Sequence, residues 1–312
     1  MTATPHRHPD GMPTPTARAG DAVVHAVSPV VESTAVGEYH RLTLAVPGVA
    51  ALATPGQFTA LAVGGATSGL LLRRAFSIHR TRVGATPAAD LMEIVVADAG
   101  PGTRWLTERR AGDVVDVVAP LGKGFPMPAR PGGAAILVGG GYGSAPLFWM
   151  AQTLRSAGVA AHLVLGAATR NRLYGTEFGD SADSLQVTTD DGSAGVAGQV
   201  TLVLPALLAD TNATTVYACG PMGMLRAVTD LARGRGITAY VAVEEAMACG
   251  VGVCMTCVLP VVGDDGATSM RRACVDGPVL DGARLRWSSI ADGRVSVPDD
   301  AVGAPRPAGG AR

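Results

Sequence analysis

The chain has 312 residues, room for two or three domains. It is 47% hydrophobic and 16% charged, which allows a sizeable core and excludes a disordered protein. A net charge of −1 and 4% aromatic residues give neither the basic patch nor the stacking platforms that nucleic-acid binding needs. No apolar run approaches about 18 residues, so no membrane span is expected. Residues 1–20 lack the apolar segment of a secretory signal, and the expected compartment is the cytoplasm.

Residues 1–20 are rich in Pro, Thr and His and read as a disordered tail. From 21 to 130 the pattern is of short strands at 22–33, 40–46, 58–63, 75–80, 91–98 and 114–119, with turns between them and one helix at 103–110. Six strands at this spacing predict a small antiparallel β-barrel. From 131 to 236 the period changes. Strands at 134–138, 162–167, 185–189 and 215–218 alternate with helices at 147–156, 200–209 and 224–233, which predicts a doubly wound parallel sheet. Residues 237–300 form a third, small region, and 301–312 read as a second disordered tail. His40, His79 and His162 fall on expected strands, where a structural role is expected.

The chain has five cysteines, four of them clustered as Cys249-x4-Cys254-x2-Cys257-x16-Cys274. In a reducing compartment such clustering argues for metal rather than disulfides. Three closely spaced ligands on one loop with a distant fourth form the plant-type [2Fe–2S] arrangement. Gly250 and Gly252 permit the loop to turn its N–H groups toward the sulfurs. Zinc is the alternative, although structural zinc sites usually pair two short Cys spacings, and Cys274 stands alone. Cys219 lies in YACGPMG at the carboxyl end of an expected parallel strand. It reads either as a small buried residue or as a neighbour of a bound ligand.

Four short motifs precede the sheet: PGQF (55–58), RAFS (74–77), GTRW (102–105) and PLGKGF (120–125). Two follow its strands, GGGYGSAP (139–146) and CGPMGM (219–224). In this order they resemble the ferredoxin–NADP reductase superfamily. That resemblance implies a flavin held by the RAFS strand, whose Arg74 suits a diphosphate and whose Ser77 can donate to the flavin ring. It also implies that NAD(P) is held by Gly139, Gly140, Gly141 and Gly143 with Cys219, Gly220 and Pro221. Asp190 and Asp191 read as turn residues, and the ribose contact is not assigned.

The segment EEAMACGVGVCMTC (244–257) followed by RRACVDGPV (271–279) resembles the electron transfer subunits of bacterial dihydroorotate dehydrogenases. The resemblance covers residues 21 to about 290. It implies FAD against Arg74, Ala75, Phe76, Ser77, Gly102 and Thr103, with backbone contacts from Val95, Val96 and Ala97. It implies a [2Fe–2S] cluster on Cys249, Cys254, Cys257 and Cys274. NAD is then the co-substrate, and an FMN-containing catalytic subunit is the partner in a hetero-oligomer, a heterotetramer by the same resemblance. A reductase serving an oxygenase or hydrogenase, or a non-catalytic zinc module, are the alternatives.

Overall fold

The computed structural model describes residues 22–65, 67–129, 132–291 and 293–303. The tail expected at 1–20 lies outside the described residues, as does 304–312. Ala301, assigned to the second tail, is buried and bridges Thr268, so the ordered chain runs further than expected.

The first region is a closed barrel of six antiparallel strands. They are β1 (Val24–Val36), β2 (Tyr39–Ala45), β3 (Phe58–Leu61), β4 (Arg74–Arg82), β5 (Leu91–Ala97) and β6 (Val114–Leu121). Their order around the barrel is β1-β2-β5-β4-β3-β6. Two short helices, α1 (Val49–Leu52) and α2 (Pro101–Thr107), pack Val49 and Leu106 into its core. Leu42, Leu44, Ile78, Met92, Ile94, Val96 and Val117 fill the interior. The buried Glu93 carboxylate ties β5 to β4 through Arg80 at 2.9 Å and Arg82 at 3.0 Å.

The second region is a seven-stranded sheet. Six of its strands and the helices between them are, in chain order, β7 (Ala134–Gly140), α3 (Ala145–Ser156), β8 (Ala161–Ala167), β9 (Ser184–Thr189), β10 (Val196–Ala197), α4 (Val200–Asp210), β11 (Ala213–Cys219), α5 (Met222–Arg233) and β12 (Thr238–Ala242). Alternation along β7 shows how it is covered. Ala135 and Leu137 pack with α3, while Ile136 and Val138 pack with α4 and α5 on the other face.

The third region adds a hairpin, β13 (Val258–Val262) with β14 (Thr268–Arg272). Then β15 (Val279–Asp281) returns to pair antiparallel with β12 and closes the sheet edge. A last small pair, β16 (Ile290–Ala291) and β17 (Arg294–Val295), follows. The boundary drawn at 237 therefore cuts through shared hydrogen bonding: β12 and β15 both lie beyond it, yet both belong to the sheet. Cys257, Leu259, Ala273 and Cys274 share a core with Phe58, Ala60 and Leu121 of the barrel and with the sheet.

His79 joins barrel to sheet. It lies on β4, is 1% exposed, and its Nδ1–H donates to the Ala145 carbonyl at 2.6 Å, at the start of α3. Its ring packs on Phe148 and Phe178. Burial lowers its pKa from 6.5 to about 4, against the opposing pull of that hydrogen bond. The unfolded chain therefore takes up a proton first as pH falls, and the neutral imidazole's contribution, full above 6.5, is lost between 6.5 and 4. A loss on the order of 2 kcal/mol is expected between pH 7 and pH 5. Denaturant midpoints at the two pH values check this. The loss should shrink in His79→Gln, and an equal loss in both proteins contradicts the assignment.

Candidate functional site

Two grooves meet between barrel and sheet. The first, of about 470 Å³, is lined by Arg74, Ala75, Phe76, Ser77, Val95, Ala97 and Thr103 from the barrel. Cys219 and Gly220 from the sheet and 244–248 from the third region complete it. The second, of about 640 Å³, runs over Gly140, Gly141, Gly143, Gly220 and Pro221 along the carboxyl ends of the parallel strands. Open α/β sheets bind ligands at that edge.

Arg73 and Arg74 are neighbours with different fates. Arg73 is paired with Asp116 at 2.9 Å. Arg74 has no carboxylate partner among the described residues; it donates to the Leu72 carbonyl at 2.7 Å and lines the first groove. An unpaired guanidinium at the mouth of a groove suits a diphosphate. Gly102 does not line the groove. A Cβ there would stand 2.9 Å from the Arg74 Nε, so this glycine makes room for the arginine. The Val96 side chain points into the barrel core, and the contact expected of this residue is a backbone one. Gly139 lies under the turn, where a Cβ would meet Ser144 at 2.6 Å. The other sequence-assigned residues of the two groups line one groove or both.

Gly143 lets the glycine-rich turn lie against the CGP turn. A Cβ there would fall 2.7 Å from the Gly220 Cα and 2.8 Å from the Cys219 carbonyl oxygen, both backbone atoms that cannot swing aside. Behind this contact sits Cys219, buried at the end of β11. Burial, reinforced by the charge of Glu244, pushes its thiol up to about 12, against a hydrogen bond with Ser77. It is a neutral thiol facing the first groove.

Glu244 and Tyr142 were not singled out from the sequence. The Tyr142 hydroxyl donates to the Glu244 Oε1 at 2.8 Å across 102 positions of sequence. Both residues line both grooves. Burial raises the Tyr142 pKa, and the Glu244 charge adds to it. A carboxylate just past the end of β12 was the one available signal.

The four clustered thiols fall into two pairs. The Cys254 N–H points at the Cys249 Sγ at 3.5 Å, and the Cys274 N–H points at the Cys257 Sγ at 3.4 Å. Cys249 with Cys254, and Cys257 with Cys274, fit a two-iron cluster, in which each iron takes two thiolates. The loop is wound to serve the sulfurs. Gly250 and Gly252 have φ of 72° and 82°, and Met255, at 58°, is the one non-glycine with positive φ among the described residues. The Thr256 hydroxyl donates to the Cys254 Sγ at 3.2 Å. That bond, the Thr256 N–H and the Cys249 contacts bring the Cys254 thiol down to about 6. At Cys249 partial burial pushes upward, but the N–H groups of Cys254, Val251 and Val253 outweigh it and the pKa is lowered. Ready ionisation at these two suits a thiolate ligand, whereas burial and then the neighbouring Cys257 push the Cys274 thiol up to about 12. Cys257 and Cys274 are buried against the barrel, and Cys254 is exposed.

Comparison with known proteins agrees with this geometry. Residues 244–286 match the family model for the iron-sulfur cluster binding domain of dihydroorotate dehydrogenase B. The chain is 41% identical over 243 residues to the "dihydroorotate dehydrogenase B (NAD(+)), electron transfer subunit" of Geobacillus thermodenitrificans, covering 77% of this chain and 90% of the relative. The chain belongs to this family of electron transfer subunits. The member from Desulforamulus reducens is 33% identical, covering 86% of this chain and 98% of its own. Among solved structures, a chain of the NADH-dependent reduced ferredoxin–NADP oxidoreductase, reported for flavin-based electron bifurcation, superposes with a TM-score of 0.73 at 32% identity. It covers 84% of this chain and 91% of its own. Membership of the dihydroorotate dehydrogenase B family separates this chain from the oxygenase and hydrogenase reductases left open by sequence. No helix of the described residues is long and apolar enough to cross a membrane.

Proposed function

We propose that this chain is the accessory, electron-carrying half of a dihydroorotate-oxidising enzyme of pyrimidine biosynthesis. It passes electrons from a separate FMN-containing catalytic subunit to NAD and does not itself oxidise dihydroorotate. One observation carries this reading. The first groove touches the second through Tyr142, Gly143, Gly220 and Glu244, and is also lined by 246–248 and Thr256, which flank and enter the cysteine loop. A site between a dinucleotide groove and a thiol cluster is where a flavin belongs, because a flavin exchanges hydride with NAD and single electrons with iron and sulfur.

FAD would be held in the first groove, with Arg74 and Thr103 offering donors to its diphosphate and Ala75–Ser77, Val95 and Ala97 lining the space for its ring. NAD lies in the second, over Gly140, Gly141 and Gly143, with Gly220 and Pro221 at the nicotinamide end. Cys249, Cys254, Cys257 and Cys274 hold the [2Fe–2S] cluster. The barrel of 21–130 serves FAD, the sheet of 131–236 serves NAD, and 237–300 serves the cluster while lending two strands to the sheet. The neutral Cys219 thiol and the Glu244 carboxylate would give the flavin groove polar groups on its sheet side.

Around the exposed Cys254, Val251, Val253 and Met255 are 53%, 80% and 50% exposed. An apolar rim over a redox centre suits docking of the catalytic subunit, in a heterotetramer of two such pairs. Five free cysteines and no disulfide among the described residues suit a reducing cytoplasm. The test uses the purified chain alone. It should reduce an artificial dye with NADH and leave dihydroorotate untouched. Dihydroorotate turnover by this chain alone contradicts the accessory role.

A further inference from the structure

The second groove tells the two aspartates after β9 apart, which the sequence left as equivalent turn residues. Asp191 closes the turn: its Oδ1 accepts from the Ser193 N–H at 3.0 Å and from the Ser193 hydroxyl at 2.6 Å. Asp190 takes no such part. It lines the groove, and no donor among the described residues takes its carboxylate.

Its place along the groove is fixed by the flavin. The nicotinamide must lie at the end shared with the first groove, by Glu244 and Tyr142. The adenosine then lies toward the other end, where Ala168, Asp190 and Gln199–Thr201 form the wall. Besides Glu244, the charged residues lining the groove are Arg172 and Asp190. Arg172 is turned aside, its Nε 3.1 Å from the Glu38 Oε2. Arg170, on the same loop, is spent on the Ser193 carbonyl, which its Nε reaches at 3.0 Å. The adenosine end therefore offers one open carboxylate and no open guanidinium.

The geometry points to Asp190 as the residue that selects NAD over NADP. Its carboxylate accepts hydrogen bonds from the adenosine ribose diol and repels a 2′-phosphate, for which the nearby arginines are already committed. This rests on the second groove being the NAD site.

The test is calorimetric titration of the FAD-loaded protein with NAD⁺ and with NADP⁺, for the parent, Asp190→Asn and Asp190→Ser. Flavin absorbance serves as the folding control. The parent should bind NAD⁺ at least about 100-fold more tightly. Each variant should narrow that ratio by about 10- to 100-fold, the worth of a charged hydrogen bond and a removed repulsion. NADP⁺ should bind more tightly in the variants than in the parent. A ratio that stays within about twofold of the parent's in both variants overturns the assignment. So does an equal loss of both nucleotides, which marks a merely structural residue. A parent that binds neither nucleotide removes the NAD assignment of the groove itself, and the inference with it.

Discussion

Replacing Cys254 with serine should remove the iron–sulfur absorbance and electron paramagnetic signal while the protein keeps its full FAD. Cys254 is exposed and its sulfur has no share in the packed core, so the fold does not depend on it. Cys254 does not line the flavin groove, whose wall from within the loop is Thr256. Electron flow to a one-electron acceptor taken through the cluster should fall by orders of magnitude, while hydride exchange between NADH and flavin continues. Iron and flavin analysis together check this. Two irons retained with unchanged spectra, or stoichiometric zinc in the parent, contradict the ligand set.

The second large effect is at Arg74. In Arg74→Ala a flavin diphosphate loses its paired donor, and FAD should bind about 10- to 100-fold more weakly, as expected for a hydrogen bond to a charged group. Arg74→Lys should recover part of the loss, since an ammonium supplies charge without the fork. Flavin retained after dialysis, against the cluster spectrum as control, measures it. Parent-like FAD affinity in the alanine variant places the diphosphate elsewhere. The neighbouring Arg73, committed to Asp116, would then lose its value as a contrast.

Much of this architecture was legible because it is local. The barrel strands show clear turns, and the expected 58–63, 75–80 and 91–98 become β3, β4 and β5 with shifts of one or two residues at most ends. Strand β1 runs three residues past its expected end because the hairpin at Gly37 keeps it paired with β2 to Val36. What was illegible is non-local. The three residues of β15 carry no strand period of their own and are held by β12 some 40 positions earlier. Tyr142 meets Glu244 only because β7 and β12, the strands they follow, flank β11 on either side. Along β5 five consecutive residues are buried, so alternation could not tell that Val96 faces the core while Val95 and Ala97 face the groove. Gly102 and Gly139 sit in the right motifs, yet their part is to give space to Arg74 and Ser144. The pairing of the four thiols likewise needed the hairpin that brings Cys274 back to Cys257.

The central claim is a division of labour between this chain and a catalytic partner. The direct measurement is NADH formation from dihydroorotate and NAD⁺ by three samples: this chain alone, the organism's FMN-containing dihydroorotate dehydrogenase subunit alone, and the two mixed. Turnover should appear in the mixture and in neither component. It should be lost again when the added chain carries Cys254→Ser. NADH formed by this chain alone contradicts the account, as does a well-folded, FMN-loaded cognate subunit that gives no NADH in the mixture.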